Sequence, residues 1–191
     1  METDDNLVLE IQKSFFDLLN KYLPVNFLTN LKQKNEIKIL SVGCGRFREA
    51  KSIFDYFKGC EDKLKLYGID TSSELIDLAK KDDLILKVAD ASLKENYSEW
   101  GLFDLIIVRH PEITFNTDVF IKIFTVLSGL LEKEGLIFIT THFENEKESV
   151  KLLLKLLKYN VSGEYENKNS PSLSKDEKVL FVDKFLLIAS I

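Results

Sequence analysis

The sequence predicts an α/β protein: a doubly wound sheet of about seven strands, mostly parallel with an antiparallel last strand, and helices on both faces. Three observations predict it. From residue 37 to residue 140, short apolar runs alternate with amphipathic segments of helical period. The first run, Ile37-Lys38-Ile39-Leu40-Ser41-Val42, ends in Gly43-Cys44-Gly45 and leads into a helix. Open α/β sheets build a ligand pocket in this way, at the carboxyl edge of their first strand. Finally, the chain ends in an apolar run with no helix before it, which calls for an antiparallel partner.

At 191 residues the chain has material for one well-buried domain. We divide it into an N-terminal helical cap over residues 1–36 and an α/β domain over residues 37–191. The formal charge of −5 supplies no basic footprint, so a nucleic-acid partner is not favoured. Cys44 and Cys60 are too few for a disulfide framework or a four-ligand zinc site, so a reducing compartment is expected. No apolar run approaches the roughly 18 residues of a membrane span, and the start, Met1-Glu2-Thr3-Asp4-Asp5, is acidic where a signal peptide is basic. The expected setting is cytoplasmic, without a membrane partner.

In chain order, Val8, Ile11, Phe15, Leu18, Leu19 and Tyr22 mark a helix from about Asp5 to Leu23, closed by Pro24. Phe27, Leu28 and Leu31 continue a shorter helical turn. After the opening strand, Ala50, Ile53, Phe54 and Phe57 share a helix face. Leu64 to Ile69 is a second strand ending at Asp70, and Thr71 or Ser72 with Glu74 resembles a capping box. Leu84 to Ala89 is a third strand stopping at Asp90, and Phe103 to Val108 a fourth, followed by Arg109-His110-Pro111-Glu112. A helix is expected from Thr117 to Leu131, then a fifth strand from Leu136 to Thr140. In the tail we expect a helix from Glu146 to Tyr159, a strand from Val161 to Tyr165, a polar loop from Asn167 to Asp176, and one long strand from Val179 to Ile188.

Ile39-Leu40-Ser41-Val42-Gly43-Cys44-Gly45, Tyr67-Gly68-Ile69-Asp70-Thr71-Ser72 and Val88-Ala89-Asp90-Ala91 resemble the first three motifs of the class I S-adenosylmethionine-dependent methyltransferases. Phe103 to Ile107 and Leu131 to Leu136 are similar to that family's fourth and fifth blocks. The resemblance implies a Rossmann-like fold and S-adenosyl-L-methionine as cofactor. It implies that Gly43, Cys44 and Gly45 face the methionine part, Asp70 and Thr71 the ribose, and Asp90 and Ala91 the adenine. Chemistry agrees: a carboxylate accepts from two adjacent hydroxyls with charge-assisted strength. Asp70 also falls 25 residues past Gly45, near the ~20 expected of an acidic ribose ligand on a second strand. A nicotinamide dehydrogenase is disfavoured, because Arg48 stands where its fingerprint wants Gly or Ala.

Two positions depart from the family pattern. Ser41 stands where an acidic residue is usual, and Phe47 where a third glycine is usual. Glu49 either supplies the missing charge or is a surface residue at a helix start.

The acceptor is expected over the ends of strands four and five, among Arg109, His110, Pro111, Glu112, Thr141, His142 and Glu144. His110 is the candidate general base, its ordinary pKa lying near working pH, and its alternative is a structural loop histidine. Arg109 is a candidate for the cofactor carboxylate or an acidic substrate group. A magnesium site is disfavoured, since imidazoles suit transition metals better. No Asn/Asp-Pro-Pro-Tyr/Phe motif follows strand four. With the acidic balance, this favours methyl transfer to an oxygen or nitrogen of a small molecule. The alternatives are a non-catalytic binding protein of the same fold and an RNA methyltransferase that needs a partner subunit.

Overall fold

The computed structural model describes residues 5–79, 83–175 and 178–191. Two helices come first: α1 (Asp5–Tyr22) and α2 (Val25–Lys32). Then follow β1 (Ile37–Val42), α3 (Ala50–Tyr56), β2 (Leu64–Asp70), α4 (Ser73–Ala79), β3 (Leu84–Val88), a 3-10 turn at Lys94–Tyr97, β4 (Phe103–Arg109), α5 (Thr117–Ser128) and β5 (Leu131–Thr141). The chain closes with α6 (Glu144–Leu156), β6 (Asn160–Glu166), β7 (Ser172–Lys175), β8 (Lys178–Phe181) and β9 (Phe185–Ser190). Among the described residues no helix is long and apolar enough to cross a membrane.

Seven strands form one sheet in the order β3-β2-β1-β4-β5-β9-β6. β1 pairs parallel with β2 and β4, β2 with β3, and β4 with β5, while β9 runs antiparallel to both β5 and β6. This is the expected architecture. The order reverses at β1, between β2 and β4, and open α/β sheets leave a crevice at such a reversal.

Strand alternation sorts side chains to two cores. Ile39 and Ile107 face a cluster built by α1, α2, α3 and α4, with Phe15, Leu19, Leu31 and Ile53 at its centre. Leu40, Val42, Ile106 and Val108 face the other cluster, closed by Phe124 and Leu127 of α5 and Val150 and Leu154 of α6. β1 and β4 are therefore apolar on both faces, as a central parallel strand requires.

The structure corrects three boundaries. α5 ends at Ser128 rather than Leu131, and residues 131–135 join β5 through a register shift opposite Phe103 and Leu105. α6 stops at Leu156; Lys158, in the left-handed region at φ 65°, turns the chain away before Tyr159. The tail differs most. The loop expected from Asn167 contains β7, which pairs with β8 as a separate two-stranded ribbon, and its expected end, Asp176, lies outside the described residues. The single long strand expected from Val179 to Ile188 is broken at Asp183, whose φ of 52° no continuous strand accommodates.

Candidate functional site

A cavity of about 590 Å³ opens at the carboxyl edge of β1 to β4, within the range of small-molecule sites. Val42 and Gly43 line it from the first strand and its turn, Asp70 and Thr71 from the second, Ala89, Asp90 and Ala91 from the third, and Arg109, His110, Pro111 and Glu112 from the fourth. Val119, Phe120 and Ile123 of α5 form an apolar wall. Four strand ends thus share one hollow, because parallel strands all deliver their carboxyl ends to the same edge.

The turn after β1 is built by its glycines. Gly43 and Gly45 sit at φ 65° and 51°, a region L side chains rarely adopt. Its amides are bound inward: Gly43 and Cys44 N–H both donate to the Ile69 carbonyl, at 2.9 and 3.2 Å. Gly45 N–H donates to Asp70 Oδ2 at 2.8 Å. The other oxygen, Asp70 Oδ1, accepts the Ser72 amide at 2.8 Å. Each oxygen of that carboxylate keeps a second acceptor site. The cap of α4 is Ser72, whose hydroxyl accepts from Leu75 N–H at 3.3 Å. At the third strand end, Asp90 Oδ1 accepts the Ser92 amide at 2.8 Å, and this bond holds the carboxyl below its ordinary range.

Cys44 turns its thiol into the core, where burial pushes its pKa far up, so its backbone alone belongs to the turn. Phe47 does not enter the cavity. Its ring is buried in the cluster under α1 to α4, beside Gly68 of β2, where any added Cβ would lie 3.1 Å from the ring. The bulk at 47 is therefore matched by the missing side chain at 68.

Beneath the cavity lies a buried polar floor. Strand alternation sends Ser41 and Arg109 to the α1 side of the sheet. Ser41 Oγ donates to Glu49 Oε1 at 2.6 Å, and Glu49 is 4% exposed. Glu49 thus places a carboxylate against the serine at 41; it is not a surface residue. Arg109 reaches Glu49 Oε2 at 3.3 Å and grips Asp183 through Nε at 3.2 Å and Nη2 at 2.6 Å, with its guanidinium 4.8 Å above the Phe15 ring. Two carboxylates therefore neutralise it, and it offers no spare charge for an acidic ligand group.

Asp183 is fully buried. Besides Arg109 it accepts Thr140 Oγ1 at 2.5 Å, and its Oδ1 lies 2.8 Å from His110 Nε2. Burial alone would raise this carboxyl, but Arg109 and His110 outweigh it and hold the pKa far below the usual carboxylate range. His110 itself is pushed below its ordinary value by burial, against the pull of Asp183. Its ring stacks on His142 at 3.7 Å, and His142 Nδ1 sits 2.8 Å from the Phe181 carbonyl of β8. Of the acceptor candidates, Arg109, His110, Pro111 and Glu112 line the cavity, whereas Thr141, His142 and Glu144 do not. No group of three or more His, Cys, Asp or Glu among the described residues is placed to hold a metal ion.

No protein-family model and no curated protein matches the chain. Solved structures do. An S-adenosylmethionine-dependent methyltransferase from Clostridium acetobutylicum superposes with a TM-score of 0.65 at 13% identity, covering 100% of this chain and 93% of that one. Magnesium protoporphyrin IX methyltransferase from Synechocystis, with bound cofactor, gives 0.61 at 11% identity, covering 100% and 87%. An rRNA methylase from Streptococcus thermophilus gives 0.58 at 11%, covering 86% and 92%. The chain has the class I methyltransferase fold.

The residues present fit the adenosyl sulfonium that this methyltransferase fold implies. A pyrophosphate needs free amides at the first turn, and here Gly43, Cys44 and Gly45 have all committed theirs to Ile69 and Asp70. That turn therefore offers no amide nest for an anion. Carboxylates with spare acceptor sites stand at the ends of β2 and β3, opposite the apolar wall of α5. Sequence reasoning weighed Glu49 but missed Asp183 and Thr140. The available signal was an acid inside the apolar run Val179-Leu180-Phe181-Val182-Asp183.

Proposed function

We propose that this protein transfers a methyl group from S-adenosyl-L-methionine to an oxygen or nitrogen of a small-molecule acceptor. One observation carries the reading: a single cavity joins the first glycine turn, Asp70, Asp90 and His110. When bound, the cofactor supplies a methyl already activated by its sulfonium. The chain's own residues do the rest. Asp70 accepts from ribose hydroxyls, with Thr71 beside it, and Asp90 with Ala91 meets the adenine edge, against Val119, Phe120 and Ile123. Gly43 forms the thin wall beside the methionine part, while Cys44 and Gly45 shape the turn without lining the cavity. Arg109 anchors the floor rather than pairing the cofactor carboxylate, because Glu49 and Asp183 consume its charge.

His110 takes the acceptor's proton, which suits a hydroxyl, phenol or amine. The cavity walls carry Asp70, Asp90 and Glu112 and no unneutralised cation among the described residues, so a neutral or cationic acceptor is favoured over an anionic one. The small cavity and the charge of −5 support a small molecule over RNA.

Titration calorimetry with S-adenosyl-L-methionine tests the reading. Binding is expected, and Asp70→Ala should weaken it by about 1.5–3 kcal/mol, the range for hydrogen bonds to a charged group. Absence of heat at millimolar ligand removes the proposal, and unchanged affinity in the variant means the ribose lies elsewhere. Binding without transfer to any acceptor class favours a non-catalytic protein.

A further inference from the structure

We infer that Asp183 is a positioning residue: it fixes His110 in the tautomer that carries its proton on Nε2 and leaves the lone pair of Nδ1 available to the cavity. The inference rests on the proposed role of His110 as base and goes beyond it, by saying which nitrogen acts and what holds it.

The contacts at Nε2 decide the tautomer. Nε2 lies 2.8 Å from the Asp183 carboxylate oxygen and 3.2 Å from the Asp183 backbone N–H. A bare Nε2 would accept the weaker backbone bond while setting its lone pair against a full negative charge. A protonated Nε2 donates to that charge over the shorter distance, and a charge-assisted bond of this length is the stronger of the two. Nδ1 then holds the lone pair. Among the described residues it has no hydrogen-bond partner, and His110 lines the cavity.

The remaining geometry keeps this arrangement rigid. Asp183 cannot rotate away, because Arg109 grips both of its oxygens and Thr140 holds one of them. The imidazole cannot tilt freely, because His142 stacks on one face and is itself tied to the Phe181 carbonyl. His110 and Asp183 both sit in the left-handed backbone region, at φ 51° and 52°. Neither is glycine, so both conformations cost energy that the surrounding bonds must offset, a pattern found where geometry serves a site. The charged and titratable groups around the ring are Asp183, Arg109 and His142, with Glu49 behind Arg109.

In the proton step, the bond between the acceptor atom and its hydrogen breaks with the electron pair staying on the acceptor. The proton moves to Nδ1, and the resulting imidazolium is stabilised by the carboxylate already at Nε2. The same logic of acid, imidazole and substrate proton recurs on unrelated folds.

The chain has two histidines, so nitrogen-15 spectra of the imidazoles are simple to assign, with His142→Gln identifying the other. In the full-length protein without ligands, His110 should show a protonated Nε2 and a bare Nδ1 at neutral pH. Asp183→Asn should move the proton to Nδ1 or mix the tautomers. A proton on Nδ1 in the unaltered protein overturns the inference, so the test stands even if the variant does not fold. A folded variant with the original tautomer overturns it too. The spectrum needs no cofactor, so failure to bind S-adenosyl-L-methionine would sink the proposed function and leave the tautomer held by Asp183 standing. With an acceptor in hand, the folded Asn variant should lose about 10²–10⁴-fold in kcat, the range for an acid–base contribution, with cofactor affinity unchanged. Equal losses in both would mark Asp183 as merely structural and overturn its positioning role.

Discussion

Arg109 shows how a residue's place in the chain can suggest one role and its partners another. Its place just after the fourth strand suggested a charge offered to cofactor or substrate. Its guanidinium is instead sandwiched between Glu49 and Asp183 over the Phe15 ring. Removing one partner of a buried ion cluster leaves the others uncompensated, at a cost of about 3–5 kcal/mol. Arg109→Met should therefore lower unfolding stability by that amount in a urea titration, with no change in the slope. A loss near zero would mean the two acids find other donors or water. Asp183→Ala would be a poorer probe of stability alone, since it also frees His110.

At the scale of elements, the turn after β1 and the second strand are co-adapted. The Phe47 ring packs where it does because β2 carries glycine opposite it. A Cβ at Gly68 would stand 2.8 Å from both Cys44 Sγ and Leu86 Cδ2. Those atoms belong to buried or half-buried side chains with little room to retreat. Gly68→Ala should therefore destabilise by about 1–3 kcal/mol, the usual cost of overpacking. Because the displaced atoms adjoin the glycine turn, cofactor affinity should fall with it. Replacing Phe47 by a smaller apolar residue in the same chain should restore part of the loss. If the single variant is as stable as the parent by thermal melting, the packing argument is wrong. The ribbon of β7 and β8 is the other element with consequences, since it carries Phe181 to His142 and ends beside Asp183.

For the whole molecule, the buried floor sets the pH dependence of stability. His110 has a folded pKa below its ordinary 6.5, so the unfolded chain binds the proton first and stability falls as pH drops through that region. Asp183 has a folded pKa below its ordinary 3.8. Its contribution is therefore complete above that value and is lost as the medium becomes more acidic. Denaturation midpoints measured from pH 8 to pH 3 should decline in two stages, the first beginning near 6.5 and the second near 4. His110→Gln should erase the first stage alone. A flat profile between pH 7 and pH 5 would show that His110 charges as easily in the folded protein as in the unfolded one.

Local pattern was enough to read the parallel sheet, the glycine turn, and the acids at 70 and 90. Each is written in a short window: apolar runs record burial on both faces, and a strand end records itself by a glycine or an acid. The antiparallel last strand was legible too, from the missing crossover helix. Asp183, Thr140 and the burial of Glu49 were not, because Asp183 and Thr140 take their roles from partners 43 to 74 residues away, and Glu49 faces Arg109 from 60 residues away as well as Ser41. A buried acid and a solvated acid are the same letter; only the tertiary structure, by bringing Arg109 and His110 to the break before β9, decided which one residue 183 would be.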